Sequence, residues 1–461
     1  MSVPLLAQWV GALLPLLAAT GAVREGDTLR AEIASAKVSF LDYCGPATFS
    51  ATVRGNRELV IEVDPRGERG PLHLRVVLPS SAEGRWAADV VVVDATGRPL
   101  LVRRSGTEWH KLTIRVPPER ATYIVRAVQP PGPRLQVFSD RDRQAVEPTT
   151  GLKAAIATWH EGRKAALSIR FDDSHPSHLA TAIPVLREFG FRGTFMVCPG
   201  RAEPNSRWRS DFQEHLAEWK AVARRGDQEF ANHTAHHRGA SGDEEMEAEI
   251  GQAAKAIWDL FSGRSKLLAL NLGGGTSWET TKPLRYYLDK YHLFDASSGS
   301  LGMDDVYGNR VAAFREHLRR HIERGLWCRI HFHAIGQDSG SSEATFRATL
   351  ATAKANERHL WIAGMADIYK YQTERQAAKL ELHAETPQRV LLKLCCGTDP
   401  HLYDQPLTIE LVLPTAWPPN KVKIIRAEPH PAEVLAAAPN TRTIRLSVPP
   451  LTSSYTIERS P

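Results

Sequence analysis

Two adjacent carboxylates at the end of an apolar run, together with two imidazoles four residues apart, are the groups that can hold a divalent metal ion beside a general base. The carboxylates here are Asp172 and Asp173, closing the strand-like stretch Ala165-Ala-Leu-Ser-Ile-Arg-Phe-Asp-Asp173. Neighbouring side chains at a strand end point in different directions, so one Asp can ligate a metal while the other stays free to take a proton. An Asp-Asp pair alone is more often a turn or a helix cap. The imidazoles are His233 and His237, in Glu229-Phe-Ala-Asn-His-Thr-Ala-His-His237. On a helical turn that spacing puts both rings on one face, ~5–6 Å apart and within reach of one ion. With 18 histidines in 461 positions, roughly one such pair is expected by chance. His317 and His321 repeat the spacing within Arg315-Glu-His-Leu-Arg-Arg-His-Ile-Glu-Arg324, whose charges predict a solvated, structural helix face. His233 and His237 differ by context, because they follow a turn at Arg225-Gly226-Asp227 and a short strand-like run. A third stretch, Leu326-Trp-Cys-Arg-Ile-His-Phe-His333, puts His331 and His333 on one strand face with Phe332 on the other. His333, late in the series, is a candidate general acid. One Asp and two His suit a divalent ion such as Zn²⁺ with positions left for water, whose pKa then falls toward ~7. A free carboxylate can take that water's proton, and a histidine across the scissile bond can protonate a leaving amine.

These residues need a scaffold, and the pattern of the chain supplies one. From about residue 152 to 380, apolar strand-like runs alternate with amphipathic stretches such as Leu179 to Phe189, Glu214 to Arg225 and Asp243 to Phe261. Strand-helix alternation predicts a parallel sheet, open or closed into a barrel, with ligands at the carboxyl ends of its strands. On either side the rhythm is of short alternating strands, for example Glu58 to Val63 and Lys111 to Val116 before, and Arg389 to Leu394 and Thr443 to Val448 after. Such stretches predict β-sandwich-like layers. The expected organisation is a signal peptide over 1–22, a β-sandwich-like domain over 23–150, the α/β domain over 151–380 and a small β domain over 381–461. The Pro-rich Gln129-Pro-Pro-Gly-Pro-Arg134 and a polar stretch up to Gly151 read as the linker.

Composition narrows the functional class. The chain is 42% hydrophobic and 24% charged, which is globular, and its formal charge of +6 includes no Lys/Arg-rich block, so nucleic acid is not an expected partner. Met1 to Ala22 carries no charged side chain, has an apolar run from Val10 to Ala19, and ends in Thr20-Gly21-Ala22. That reads as a cleaved export signal, placing the mature chain in a secreted or periplasmic location with no membrane span. Five cysteines without CxxC spacing predict buried thiols rather than a zinc ribbon or a disulfide framework.

Taken in order, the segments resemble the polysaccharide deacetylase family, the carbohydrate esterases that share the deacetylase domain of nodulation proteins. The resemblance covers roughly Trp159 to Arg375. Leu167 to Asp173 is similar to the family's strand ending in two aspartates, and Phe189-Gly-Phe-Arg-Gly-Thr-Phe-Met-Val197 to its second strand. Gly226 to His237 is similar to its metal-histidine motif, Ile330-His-Phe-His333 to its closing histidine motif, and Trp361 to Tyr371 to its last strand and helix. The resemblance implies a distorted (β/α) barrel in which Asp172 is the general base, Asp173, His233 and His237 hold the metal, and His333 is the general acid. The implied substrate is an acetylated polysaccharide or oligosaccharide, attacked at an N-acetyl group. An O-acetyl esterase, and a non-catalytic glycan-binding protein retaining the fold, are the alternative readings, with Trp208, Trp278 and Trp417 as candidate sugar platforms. The family's Arg-x-Pro motif on a middle strand, whose arginine orients the base, has as counterpart here Leu268-Ala-Leu-Asn-Leu-Gly-Gly-Gly-Thr276, with neither Arg nor Pro. Whatever fixes Asp172 comes from elsewhere, Arg170 or Arg329 being the candidates, or the base is less constrained.

Overall fold

A computed structural model describes the chain apart from residues 1–22, 26–27, 34–35, 42–46, 55–57, 68–71, 80–89, 129–134, 202–210, 262, 337–339, 436–441 and 461. The expected export signal, the Pro-rich stretch and Trp208 therefore lie outside the described residues. Contacts divide the chain into two units. One comprises residues 1–131 with 239–246 and 275–286, and the other 132–238, 247–274 and 287–461.

The second unit contains the predicted parallel sheet. Its strands are β1 (Ala165–Phe171), β2 (Thr194–Val197), β3 (Glu229–Asn232), β4 (Leu268–Leu270), β5 (Leu293–Asp295), β6 (Leu301–Gly302), β7 (Trp327–Phe332) and β8 (Leu360–Ile362). They lie in the order β5-β4-β3-β2-β1-β7-β6, with β8 also against β1, and every pairing is parallel. This curled parallel sheet, interleaved with helices, fits a distorted (β/α) barrel. β1 is buried at all seven positions, Ser168 and Arg170 included, as a parallel strand covered on both faces must be. β7 alternates instead, with Cys328, Ile330 and Phe332 buried on one face and Arg329 and His331 on the other.

Helices lie between the strands, some of them bounded by cap chemistry visible in the sequence. They include α1 (Ile183–Phe189), α2 (Leu216–Arg225), α3 (Asp243–Leu260), α4 (Leu284–Lys290), α5 (Arg310–Arg324), α6 (Glu343–Ala355) and α7 (Met365–Gln376). α5 starts at Asn309, whose side chain accepts from the Ala312 amide at 3.1 Å, and stops at Gly325, where φ is 68°. Ser342 caps α6 in the same way through the Thr345 amide.

In the first unit, strands within residues 23–40, 72–77, 102–116 and 277–280 form one antiparallel sheet, and Thr48–Arg54, Glu58–Asp64, Val90–Asp94 and Ala121–Ala127 form another. Side chains of both, Phe40, Leu74 and Ile114 with Phe49, Leu59 and Val92, share one apolar cluster. The C-terminal strands also form two antiparallel sheets, but not by themselves. Gln144–Val146, expected in the linker, and Lys153–Ile156, expected within the α/β domain, join the sheet that contains Leu407–Val412 and Thr443–Val448. Ala154 and Ile156 are buried with Ile409 and Leu446. The sequence pattern hides this, because Gln144–Val146 has no buried position and hence no period to read. No helix of the described residues is long and apolar enough to cross a membrane.

Where β1, β2 and β7 meet, Phe171 lies stacked between Phe195 at 4.8 Å and Phe332 at 5.6 Å, with Phe346 edge-on at 5.7 Å. All four rings are fully buried. Phe171→Ala is expected to destabilise the chain by ~3–5 kcal/mol, read as a lower urea midpoint. A change below about 1 kcal/mol would mean that this aromatic layer is not the core of the sheet.

Candidate metal centre and active site

All five residues singled out in the sequence lie just beyond the carboxyl ends of three parallel strands, where such sheets expose their ligand sites. Asp172 and Asp173 follow β1, His233 follows β3 with His237 four residues on, and His333 follows β7. The structure brings them together. His233 Nε2 is 3.1 Å from Asp173 Oδ1, His237 Nε2 is 3.9 Å from the same oxygen, and His333 Nε2 is 3.9 Å from Asp173 Oδ2. One ligand atom each from Asp173, His233 and His237 falls within 4.8 Å of the others.

The two histidines are not presented by a helix, as their spacing had suggested. After Asn232 the backbone turns through left-handed residues, Thr234 at φ 64° and His237 at φ 54°, which brings the rings to 4.6 Å between centroids. Polar side chains stabilise the turn. The Thr234 amide donates to Asn232 Oδ1 at 2.8 Å and the His237 amide to Thr234 Oγ1 at 3.0 Å. Asx and ST turns of this kind compete with helix, so the i,i+4 proximity survives while the element changes. Gly273, at φ +84°, lies beside His237, and a Cβ there would fall on the imidazole. The Gly273-Gly274-Gly275 run thus has a definite use at its first member, in making room for the His237 ring.

Tautomers are set by carbonyl partners. His233 Nδ1 lies 2.8 Å from the Asn271 carbonyl, which can only accept, so Nδ1 carries the proton and Nε2 faces Asp173. Burial lowers the pKa of His233, while the hydrogen bond to Asp173 and the charge of Asp172 raise it, and the net shift is upward. Burial alone would raise the pKa of Asp173, but hydrogen bonds from His175 and His233 hold it far below the usual carboxylate range. For His237 burial dominates and the pKa falls.

Asp172 is 3% exposed. Burial disfavours its charge, yet the Arg170 guanidinium and the neighbouring His233 hold its pKa below normal. Arg170 Nη2 donates to Asp172 Oδ2 at 2.9 Å, Asn271 Nδ2 donates to the same oxygen at 3.2 Å, and Arg170 Nη1 is anchored on the Ala296 carbonyl at 2.9 Å. Of the two arginines considered for the missing Arg-x-Pro, Arg170 makes the contact. Asp172 Oδ1 has no hydrogen-bond partner among the described residues although it is buried. An ionised acceptor left open beside the Asp173-His233-His237 cluster can take a proton from a water.

On the other side, His333 Nδ1 is 2.5 Å from Asp304 Oδ2, and the His333 amide donates to Asp304 Oδ1 at 3.1 Å. Asp304 raises the His333 pKa to about 9, against the effect of burial, so the ring is protonated at neutral pH. His331, on the same face with its ring 5.6 Å away, is pushed by burial down to about 4 and is neutral. Its Nδ1 lies 2.8 Å from Ser300 Oγ.

Sequence reasoning missed Asn271, Gly273 and Asp304. A polar residue directly after an apolar strand run could have signalled Asn271, whereas Asp304 reaches His333 from 29 residues upstream with no period to mark it. Asp295, which closes β5, is exposed and accepts from the Ser297 amide in a local turn. Trp278 and Trp417 are 0% and 2% exposed, which removes them as sugar platforms. A cavity of about 320 Å³ opens beside Asp173 and is lined also by His175, Cys198, Asp211, His237 and Arg238. A second of about 320 Å³, lined by Arg192, Glu229 and Asp367, sits at the amino ends of β2 and β3. The Asp173-His233-His237 cluster is at the other end and makes the first cavity the candidate site.

The polysaccharide deacetylase family profile matches residues 160–285. This chain carries a polysaccharide deacetylase domain. A gellan lyase from Bacillus sp is 20% identical over 302 residues, covering 57% of this chain, and the chain spans 12% of that protein's length. Among solved structures, the family 4 carbohydrate esterase from Streptomyces lividans in complex with acetate is 18% identical over 44% of this chain and 94% of its own, with a TM-score of 0.32. The peptidoglycan deacetylase PdaC from Bacillus subtilis is 15% identical over 46% of this chain and 94% of its own, also with a TM-score of 0.32.

The donor set suits a divalent ion, having one carboxylate and two imidazoles converging with an oriented tautomer. Gly273→Ala is expected to displace His237 and weaken metal binding by ~10–100-fold, the usual cost of disturbing a ligand's support. Competition against a chelator measures this, and an unchanged affinity would remove His237 from the ligand set.

Proposed function

We propose that this protein is a metal-dependent hydrolase that removes acetyl groups from the N-acetylated sugars of a polysaccharide, acting in a secreted or periplasmic location. The observation that carries the proposal is the convergence of Asp173, His233 and His237, flanked on one side by a buried, ionised Asp172 with a free oxygen and on the other by a protonated His333. Asp173, His233 and His237 are the residues to hold the ion, Zn²⁺ being first among candidates. A divalent ion at that position supplies electrophilic assistance to a water and to an acyl oxygen.

The rest is done by this chain's own groups. Asp172 Oδ1 takes the proton of the attacking water, and Arg170 and Asn271 hold the other oxygen still. His333 Nε2, protonated because Asp304 accepts from Nδ1, gives its proton to the departing amine nitrogen. We further propose the organisation 1–22 export signal, 23–150 β-sandwich-like domain, 151–380 deacetylase barrel and 381–461 β domain, amended so that strands 144–156 belong with the C-terminal layers.

Asp172→Asn is expected to lower acetate release from acetylated oligosaccharides by ~10²–10⁴-fold, the scale of a lost acid-base group, with metal content unchanged. Full activity in that variant would remove Asp172 as the base. Running N-acetylated and O-acetylated glycans side by side tests the bond, and exclusive turnover of the O-acetylated series would reassign the protein as an esterase. Glycan binding without turnover by a chain that retains no metal would make it a binding protein.

The pH profile follows from the same two groups. Activity requires Asp172 deprotonated and His333 protonated, so it rises as pH climbs through the lowered pKa of Asp172 and falls as pH passes about 9. Asp304→Asn removes the charge that raises His333, so the alkaline limb is expected to move to lower pH. A limb that stays in place would show that His333 is not the acid.

A further inference from the structure

The His317/His321 pair, which its charged surroundings marked as an ordinary helix face, acquires a third partner in the fold. α5 lies along the outside of the sheet, and Cys328 of β7 points toward it. One ligand atom each from His317, His321 and Cys328 lies within 4.8 Å of the others, and among the described residues only the Asp173 cluster matches this. The two imidazoles are 4.1 Å apart between centroids. His321 Nδ1 lies 2.7 Å from the His317 carbonyl, so it carries the proton and Nε2 keeps its lone pair. His317 Nε2 is buried with no hydrogen-bond partner among the described residues. An imidazole nitrogen withdrawn from water and left unsatisfied is costly unless something occupies it.

We propose that His317, His321 and Cys328 form a second, thiolate-containing metal site, distinct from the Asp173 cluster, that takes a borderline-soft divalent ion such as Zn²⁺ or Co²⁺. Two imidazoles and a thiolate select such ions over Mg²⁺ or Ca²⁺, which prefer oxygen ligands. Ligands 2.0–2.3 Å from a tetrahedral centre sit ~3.5 Å apart, so the three side chains need to close by only ~1 Å. Both histidines are half-buried and Cys328 is fully buried, which gives the ion an entry past the imidazoles to an enclosed sulfur. Burial and the neighbouring His321 push His317 down to about 4, so its ring is neutral and able to ligate. Burial pushes the Cys328 thiol up to about 12. Binding therefore forms a metal-sulfur bond as the S–H bond breaks, the proton leaving to solvent. Such an ion ties α5 to β7, the strand that carries His331 and leads into His333, and so its role is structural support of the strand that precedes the proposed acid.

The test uses the full-length chain, stripped of metal by chelator and titrated with Co²⁺ alone. The expected result is two equivalents bound, with a near-ultraviolet thiolate-to-cobalt charge-transfer band. That band should survive His237→Ala, which removes a ligand of the other site, and vanish in Cys328→Ser. His317→Gln and His321→Gln, at half-exposed helix positions that leave the strand packing intact, should weaken the thiolate-associated equivalent by more than about 100-fold, beyond the usual cost of losing an outer-shell partner. They keep the test decisive if Cys328→Ser fails to fold. No charge-transfer band in the wild-type chain, or one that persists in folded His317→Gln, would overturn the proposal. So would a band abolished by Cys198→Ser instead, since that thiol lines the cavity beside Asp173.

Discussion

The site is organised around a buried ion pair. Asp172 and Arg170 have side chains 4% exposed each and lie two residues apart on one strand face. Two charges removed from water are retained only if their geometry is good and their remaining donors and acceptors are satisfied. Arg170 meets part of that demand through the Ala296 carbonyl, and Asp172 Oδ2 is shared between Arg170 and Asn271. What is left over, Asp172 Oδ1, is the atom aimed at the chemistry. A charge held ionised by a neighbouring guanidinium, with one oxygen committed and one free, has an orientation that does not depend on substrate, as the proposed base requires.

Both sides of the cleft repeat the device of fixing an imidazole through its far nitrogen. A carbonyl does this for His233, leaving Nε2 facing Asp173, and a carboxylate does it for His333, keeping that ring cationic. The difference in partner gives a difference in role. A neutral acceptor orients a ligand without forcing it to hold a proton, whereas an anion stabilises the protonated form. Asn271 serves two groups at once, its main-chain carbonyl on His233 and its side-chain amide on Asp172, so one residue after β4 does the positioning that the absent Arg-x-Pro would otherwise share. That is why the altered middle-strand motif does not leave the base loose.

Much of this was legible in the sequence, and what was not has physical causes. The parallel sheet followed from strand-helix alternation, and the clustering of Asp172, Asp173, His233, His237 and His333 from their places at or just after strand-like runs. The element carrying His233 and His237 was misjudged because a spacing of four fits equally a helical turn and an Asx turn with left-handed residues, and only the Asn232 and Thr234 side chains decide between them. His317 and His321 did form the helix that their spacing suggested, but Cys328 reaches them from the next strand, and no local pattern encodes that approach. Asp304 likewise enters through tertiary packing. Gln144–Val146 escaped because a short edge strand without a buried side chain looks like a linker.

The backbone itself is distorted where the chemistry is placed. Among the described residues seven non-glycine residues have positive φ, and four of them, Asp173, Ser174, Thr234 and His237, belong to the site. Left-handed non-glycine residues cost on the order of 1–3 kcal/mol each and persist only where the surroundings over-determine them. Here they are tied by Ser174 Oγ accepting from the Cys198 amide at 2.9 Å and by the Asn232 and Thr234 turn contacts. A regular strand continuing past Phe171 would send Asp172 and Asp173 to opposite faces. The left-handed step at Asp173 turns its carboxylate toward the histidines while Asp172 stays with Arg170. Strain in the backbone thus keeps two chemically identical, adjacent carboxylates at one cluster, Asp172 on Arg170 and Asp173 on the histidines.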